Sequence, residues 1–144
     1  MAGARAVLKS VLQDFPKADI SVSLVWIQMP GFNDSERTAA EIAGTFDDSR
    51  VRHFYDPRAT HRAGRAFAKG LIPEGRGPAW DIYFFYEKGL EWRDGPPTPT
   101  EWLHQLSGGR RADPQHFSTG EKLINGLHEA MHKVTGEECT SREP

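Results

Sequence analysis

Apolar residues recur at helical spacing near the start of the chain. At about 100° per residue, Ala4, Val7, Leu8, Val11, Leu12 and Phe15 share one face while Arg5, Lys9, Gln13 and Asp14 fall away from it. An amphipathic helix stopped by Pro16 is expected. Residues 19–28 alternate and then run apolar, the pattern of a strand buried on both faces. Met29-Pro30-Gly31 breaks that run, and Asn33 with Glu36 three positions on has the spacing of a capping box. It opens a helix to about Phe46, with Ala39, Ala40, Ile42 and Ala43 as the packing face. Val51 to Asp56 reads as a second strand, and a short helix over His61–Lys69 closes at Gly70. Trp80 to Tyr86 is aromatic or β-branched almost throughout, Glu87-Lys88-Gly89 supplies a turn, and Leu90 to Arg93 returns, which predicts a hairpin. Thr98-Pro99-Thr100-Glu101 then places a capping Thr, a proline at the first helical position and a Glu at the third, predicting a helix with Trp102, Leu103 and Leu106 on its core face. Replacing Thr98 by Ala is expected to cost about 1 kcal/mol through the lost cap. Residues 107–118 read as a linker, and Thr119–Val134 as a last helix packing through Leu123, Ile124, Leu127, Met131 and Val134.

Composition narrows the class without naming an activity. With 144 residues, 38% hydrophobic and 26% charged, the chain is an ordinary globular one, able to bury roughly two-thirds of its unfolded surface without staples. A formal charge of −2 gives no bulk attraction to nucleic acid or anionic membrane, so such a partner needs a local patch. The single cysteine, Cys139, excludes an intrachain disulfide, a CxxC pair and a multi-thiolate metal site. It is also a poor nucleophile beside Glu137 and Glu138, which disfavour a thiolate. No apolar stretch approaches the ~18 residues of a membrane span, so a cytoplasmic protein without a membrane partner is expected.

The expected order is α-β-α-β-α-β-β-α-α. Without the first and last helices it is β-α-β-α-β-β-α, and it resembles the thioredoxin-like superfamily. In thioredoxins a strand ending in Trp runs into the CGPC motif, where a helix begins; here Val25-Trp26 leads through Ile27-Gln28-Met29 to Pro30-Gly31-Phe32-Asn33. The resemblance places Pro30 and Asn33 at the two cysteine positions. Thioredoxins also carry a cis-proline before a strand ending Phe-Lys-Asn-Gly, matched by Asp81-Ile82-Tyr83-Phe84-Phe85-Tyr86-Glu87-Lys88-Gly89. Counting back from Gly89 puts Asp81 at the proline position, unless Pro78 serves after an insertion at Gly75-Arg76-Gly77. The resemblance covers about residues 19–106 and lacks the residues of the family's dithiol chemistry. It implies an α/β, thioredoxin-like core with added N-terminal and C-terminal helices, one domain over 1–134, and a frayed tail over 135–144.

Three constellations carry chemistry. If the resemblance holds, Trp26, Pro30, Phe32, Asn33 and Asp34 share a surface with Trp80 and Asp81, where helix N–H groups, two indoles and two carboxylates converge. The bland alternative is that Asp34 caps the helix and the tryptophans pack. His128-Glu129-Ala130-Met131-His132 is a literal HExxH, the zinc motif of metalloproteases. Against it, the apolar residues of that helix centre on one direction, with His132 about 130° away and Glu129 nearly opposite. Zinc on His128 and His132 is therefore an alternative, and no cofactor is expected. Arg58, Arg62, Arg65 and Lys69 form a basic stripe with no acid from residue 57 to 73, able to hold phosphates with His61 and Phe54 or Tyr55 nearby to add stacking, or simply to face water, paired with Glu91, Asp94 or Glu101. The expectation for the whole is a non-redox binding or accessory module for a protein or small-molecule ligand, with nucleic acid as the lesser reading. A metal-dependent hydrolase through the HExxH is the alternative from another class.

Overall fold

The computed structural model describes residues 2–29, 31, 34–73, 77–106 and 112–137, with backbone alone for 2, 3 and 5–8. Its elements are α1 (Ala2–Asp14), β1 (Val22–Ile27), α2 (Glu36–Ala43), β2 (Val51–Asp56), α3 (Arg62–Ala68), β3 (Ile82–Phe85), β4 (Glu101–His104), a 3-10 turn (Pro114–His116) and α4 (Gly120–Thr135). Helices and two two-stranded sheets make the chain α/β. Its contacts cluster into two compact units, one of residues 20–80 and the other of 1–19 with 81–144.

In the unit of residues 20–80, β1 and β2 are parallel, from Val22 opposite Val51 to Ile27 opposite Asp56. Side chains alternate along a strand, so Ser23, Val25 and Ile27 share a face with Arg52, Phe54 and Asp56. The other face carries Trp26, His53 and Tyr55, and there the Trp26 ring lies parallel to His53 (6.1 Å, 12°) and against Phe46 just beyond α2. α3 covers the first face at its far end: Gly64 donates its N–H to Asp56 Oδ2 at 2.7 Å, and a Cβ on Gly64 would lie 3.3 Å from Ile27 Cδ1. A strand buried on both faces is thus the wrong description of β1, since Ser21 and Ser23 are exposed. The cap of α2 also differs from the expectation. Ser35 is the N-cap, its side chain accepting the Thr38 N–H at 3.1 Å, whereas Asn33 lies outside the described residues. Ser35→Ala is expected to cost about 1 kcal/mol. A circular-dichroism melt with an unchanged midpoint would refute this cap.

In the other unit, β3 is antiparallel to β4, Ile82 opposite His104 and Phe85 opposite Glu101. The expected hairpin partner Leu90–Arg93 does not pair in a strand; Leu90 and Trp92 are exposed. Pro96, Pro97 and Pro99 lack the N–H a ladder needs, and pairing with β3 begins only past them, at Thr100 N–H to Phe85 O (2.8 Å). The helix expected from Thr98 is therefore absent and its Thr98 cap with it. From Glu101 to Leu106 burial alternates, Trp102, His104 and Leu106 inward, which is strand periodicity.

His104 is fully buried. Its Nδ1 accepts the Leu106 N–H at 3.2 Å and its Nε2–H donates to the Asp113 carbonyl at 2.8 Å, which fixes the tautomer. The segment expected as a linker is packed where described: Ala112 and Ser118 are buried, His116 stacks on Trp102 at 4.1 Å, and Phe117 bridges to His104. Residues 107–111 and 138–144 lie outside the described residues. α4 packs on β4, where Leu103 Cδ1 would sit 3.2 Å from a Cβ on Gly126, and on α1, where His128 meets Ser10, Asp14 and Phe15; Val11 and Leu12 of α1 and Leu123, Leu127 and Met131 of α4 are buried. Gly136 at φ +71 ends the helix, its N–H returning to His132 O.

Candidate functional site

The end of β1 is held by Gln28. Its side chain donates to Asp34 O and accepts from the Arg58 N–H, both at 2.9 Å, and its carbonyl meets His61 Nε2 at 2.7 Å. One residue thus ties the approach to α2 and the turn into α3 to the strand. His61 is buried at φ +40 and makes no cap bond to α3 with its side chain; Asp56, also buried, supplies that bond through Gly64 N–H. Gln28 and Asp56 were not legible as functional in the sequence, and His61, expected to add stacking beside the basic stripe, is instead buried against the Gln28 carbonyl. The only signal is Asp56-Pro57, a buried acid closing a strand before a helix.

Of the residues expected to share a surface, Trp26 is turned to internal use. Its indole Nε1–H donates to His53 Nδ1 at 3.3 Å while the ring stacks within the sheet face. Asp34 is partly buried with its carbonyl taken by Gln28, and Ser35 rather than Asp34 caps α2. Pro30, Phe32 and Asn33 lie outside the described residues. Trp80 is partly buried in the unit of residues 20–80, and Asp81 opens the other unit. Asp81 is exposed at φ +49, and its carbonyl accepts the Gln105 N–H at 2.9 Å. Among the described residues every peptide bond is trans, that before Pro78 included.

The HExxH helix separates its two imidazoles by their partners. His128 is buried, its Nε2 3.2 Å from Asp14 Oδ2 and 3.3 Å from Ser10 O, with Phe15 tilted against its ring. His132 is exposed and donates from Nδ1 to Glu137 O at 2.8 Å, while Glu129 faces water. Among the described residues no group of three His, Cys, Asp or Glu side chains is gathered as a metal site needs. Cys139 lies outside them.

Two tyrosines give the β3 side an alkaline limit. Burial pushes Tyr83 up to about 12, with the Asp81 charge adding, and burial does the same to Tyr86. A raised folded value means the neutral form is favoured in the fold. That stability is full below pH ~10 and is lost as pH rises from ~10 to ~12, by roughly 1 kcal/mol per tyrosine after allowing for solvent. Urea midpoints should fall across that window in step with tyrosinate absorbance at 295 nm, and a flat midpoint would contradict it. At the other end of the scale, Arg50 bonds both oxygens of Asp48 and holds that carboxyl below its usual range.

The remaining feature is the basic face of α3. Arg58, Arg62, Arg65 and Lys69 are all exposed, and no described carboxylate pairs with them. Of the acids expected to do so, Glu91 pairs with Arg93 at 2.5 Å and Glu101 with Lys133. Arg62 and Arg65 stand one turn apart, with Lys69 at the C-cap, so the charges project from one side of a helix whose start is pinned by Asp56 and Gln28. Comparison with protein-family models, curated proteins and solved structures returns no match to this chain.

Proposed function

We propose that the chain is a non-redox binding module of thioredoxin-like connectivity that recognises an anionic partner through the basic face of α3. The connectivity reading is supported by the order that follows α1, β-α-β-α-β-β-α apart from a 3-10 turn, and by one parallel and one antiparallel strand pair. With one cysteine in the chain, no dithiol can act. The observation that carries the anionic reading is the set of four exposed bases on and beside an anchored helix, none with an acid partner among the described residues. Guanidinium forks meet phosphate or carboxylate in pairs of hydrogen bonds, and a fixed backbone means little order has to be imposed on binding. The expected set of Trp26, Asp34, Trp80 and Asp81 carries the reading less far, because the Trp26 indole already has its partner. Zinc hydrolysis at His128 and His132 would require the His128 Nε2 to leave Asp14 and Ser10.

On heparin-agarose at low salt the protein is expected to be retained, and Arg62→Glu/Arg65→Glu to elute in the flow-through with an unchanged melting midpoint. Equal retention of the two would overturn the assignment to α3.

A further inference from the structure

We infer that the ligand of this face is single-stranded nucleic acid, with Phe54 as the platform on which a base stacks and the surrounding arginines holding phosphates. The inference rests on the anionic reading above and adds an aromatic residue to it. Asp56 fixes which side of β2 carries α3, since its carboxylate receives the Gly64 N–H. Phe54 and Arg52 lie two and four positions back along the strand, and therefore on that same side. α3 has only seven residues and sits over the Ile27 and Asp56 end, which leaves the rest of the sheet face open. Phe54 is accordingly 50% exposed, with Arg52 and Ser23 exposed beside it. A Phe left in water on a strand has no structural use there, because burying it would stabilise the fold by about 1.5–3 kcal/mol.

The chemistry on this side selects among anionic partners. An acidic peptide would engage Arg52, Arg58, Arg62, Arg65 and Lys69 and leave the ring unmatched. An anionic membrane surface calls for several exposed apolar side chains to enter the interface, and among the described residues of this face Phe54 is the one large apolar side chain exposed. Single-stranded nucleic acid presents a negative backbone and a π-face at every base, which is the pairing of needs that one open aromatic and a row of bases meets. Asp56, the sole acid within β1, β2 and α3, is buried and committed to α3, so it does not repel phosphate from the surface.

The test is fluorescence anisotropy of the whole chain with 5′-fluorescein dT15 over a salt series, with polyglutamate as competitor. The parent is expected to bind with a log K against log salt slope of about −2 to −3, as three to four phosphates require. Phe54→Ala is expected to weaken binding roughly tenfold without changing that slope, since stacking releases no counterions, and Phe54→Trp to restore it. Arg62→Glu/Arg65→Glu is expected to reduce both the affinity and the slope. Phe54→Ala within twofold of the parent, or polyglutamate competing as well as unlabelled dT15 at equal charge, would overturn the inference while heparin retention kept the anionic reading. Failure of both dT15 and heparin to bind would overturn both.

Discussion

Phe15→Ala is expected to lower the unfolding free energy by about 3–5 kcal/mol, a third or more of what a domain of ordinary stability has to lose. Phe15 has 0% of its surface exposed and stands immediately beyond α1, where the helix meets α4. Val11 and Leu12 are also buried, and Leu123, Leu127 and Met131 are the large apolar residues buried in α4. Removing the ring leaves a cavity lined by side chains from two helices that cannot both collapse into it. It also strips the His128 imidazole of the aromatic face it leans on, at 5.8 Å between ring centres, while the imidazole stays held by Asp14 and Ser10. Urea unfolding followed at 222 nm should show the loss, with a drop in melting temperature of roughly 10–20 °C. Phe15→Leu, which keeps most of the volume, should cost about 1.5 kcal/mol or less. A loss under 1 kcal/mol for the alanine variant would mean that α1 is not packed as described.

The elements legible in the sequence are those whose pattern and end signals agree. Val51–Asp56 was expected as a strand and is one; His61–Lys69 contains α3; Thr119 is the N-cap of the last helix. The misreading is concentrated where a histidine was counted as polar. In Glu101-Trp102-Leu103-His104-Gln105-Leu106 the obvious apolar residues, Trp102, Leu103 and Leu106, sit at helical spacing and follow a well-formed helix start. The buried set is Trp102, His104 and Leu106, which is strand spacing, because both His104 nitrogens find backbone partners and the ring then behaves as a core residue. Long-range pairing with β3 overrode the local cap signal of Thr98, Pro99 and Glu101. The HExxH is the converse case. Its spacing is right, yet His128 is drawn into the contact of α4 with α1, a contact that no pattern within α4 could announce. The basic stripe was legible as a stripe. Phe54 or Tyr55 was legible as a neighbouring stacking residue; that it is Phe54, and that Arg52 joins it, follows from which face of β2 receives α3.

Gly64→Ala tests that last point most directly, because its expected sign runs against intrinsic propensity. In an exposed helix interior, alanine for glycine stabilises by about 1 kcal/mol. At Gly64 the added Cβ would lie 2.6 Å from Pro78 Cβ, closer than carbon atoms approach, with Ile27 Cδ1 at 3.3 Å and Ala79 O at 3.4 Å completing the enclosure. Neither side can yield cheaply. Pro78 is held by the adjacent Ala79 N–H, which donates to Gly64 O at 2.8 Å, and α3 is held by Gly64 N–H on Asp56 at 2.7 Å. Lifting the helix breaks the buried bond to Asp56, and displacing residues 77–79 breaks the bond to Ala79. A destabilisation of about 2–3 kcal/mol is expected, read as a lower urea midpoint at unchanged m. Gly44→Ala is the matched control: at φ −61 its Cβ would meet Glu41 O and Ala40 O at 3.6 and 3.7 Å, ordinary contacts, so that variant should be neutral or slightly stabilised. If Gly64→Ala behaves like Gly44→Ala, α3 does not rest on β1 and residues 78–79 as described, and the side of β2 assigned to Phe54 and the arginines falls with it.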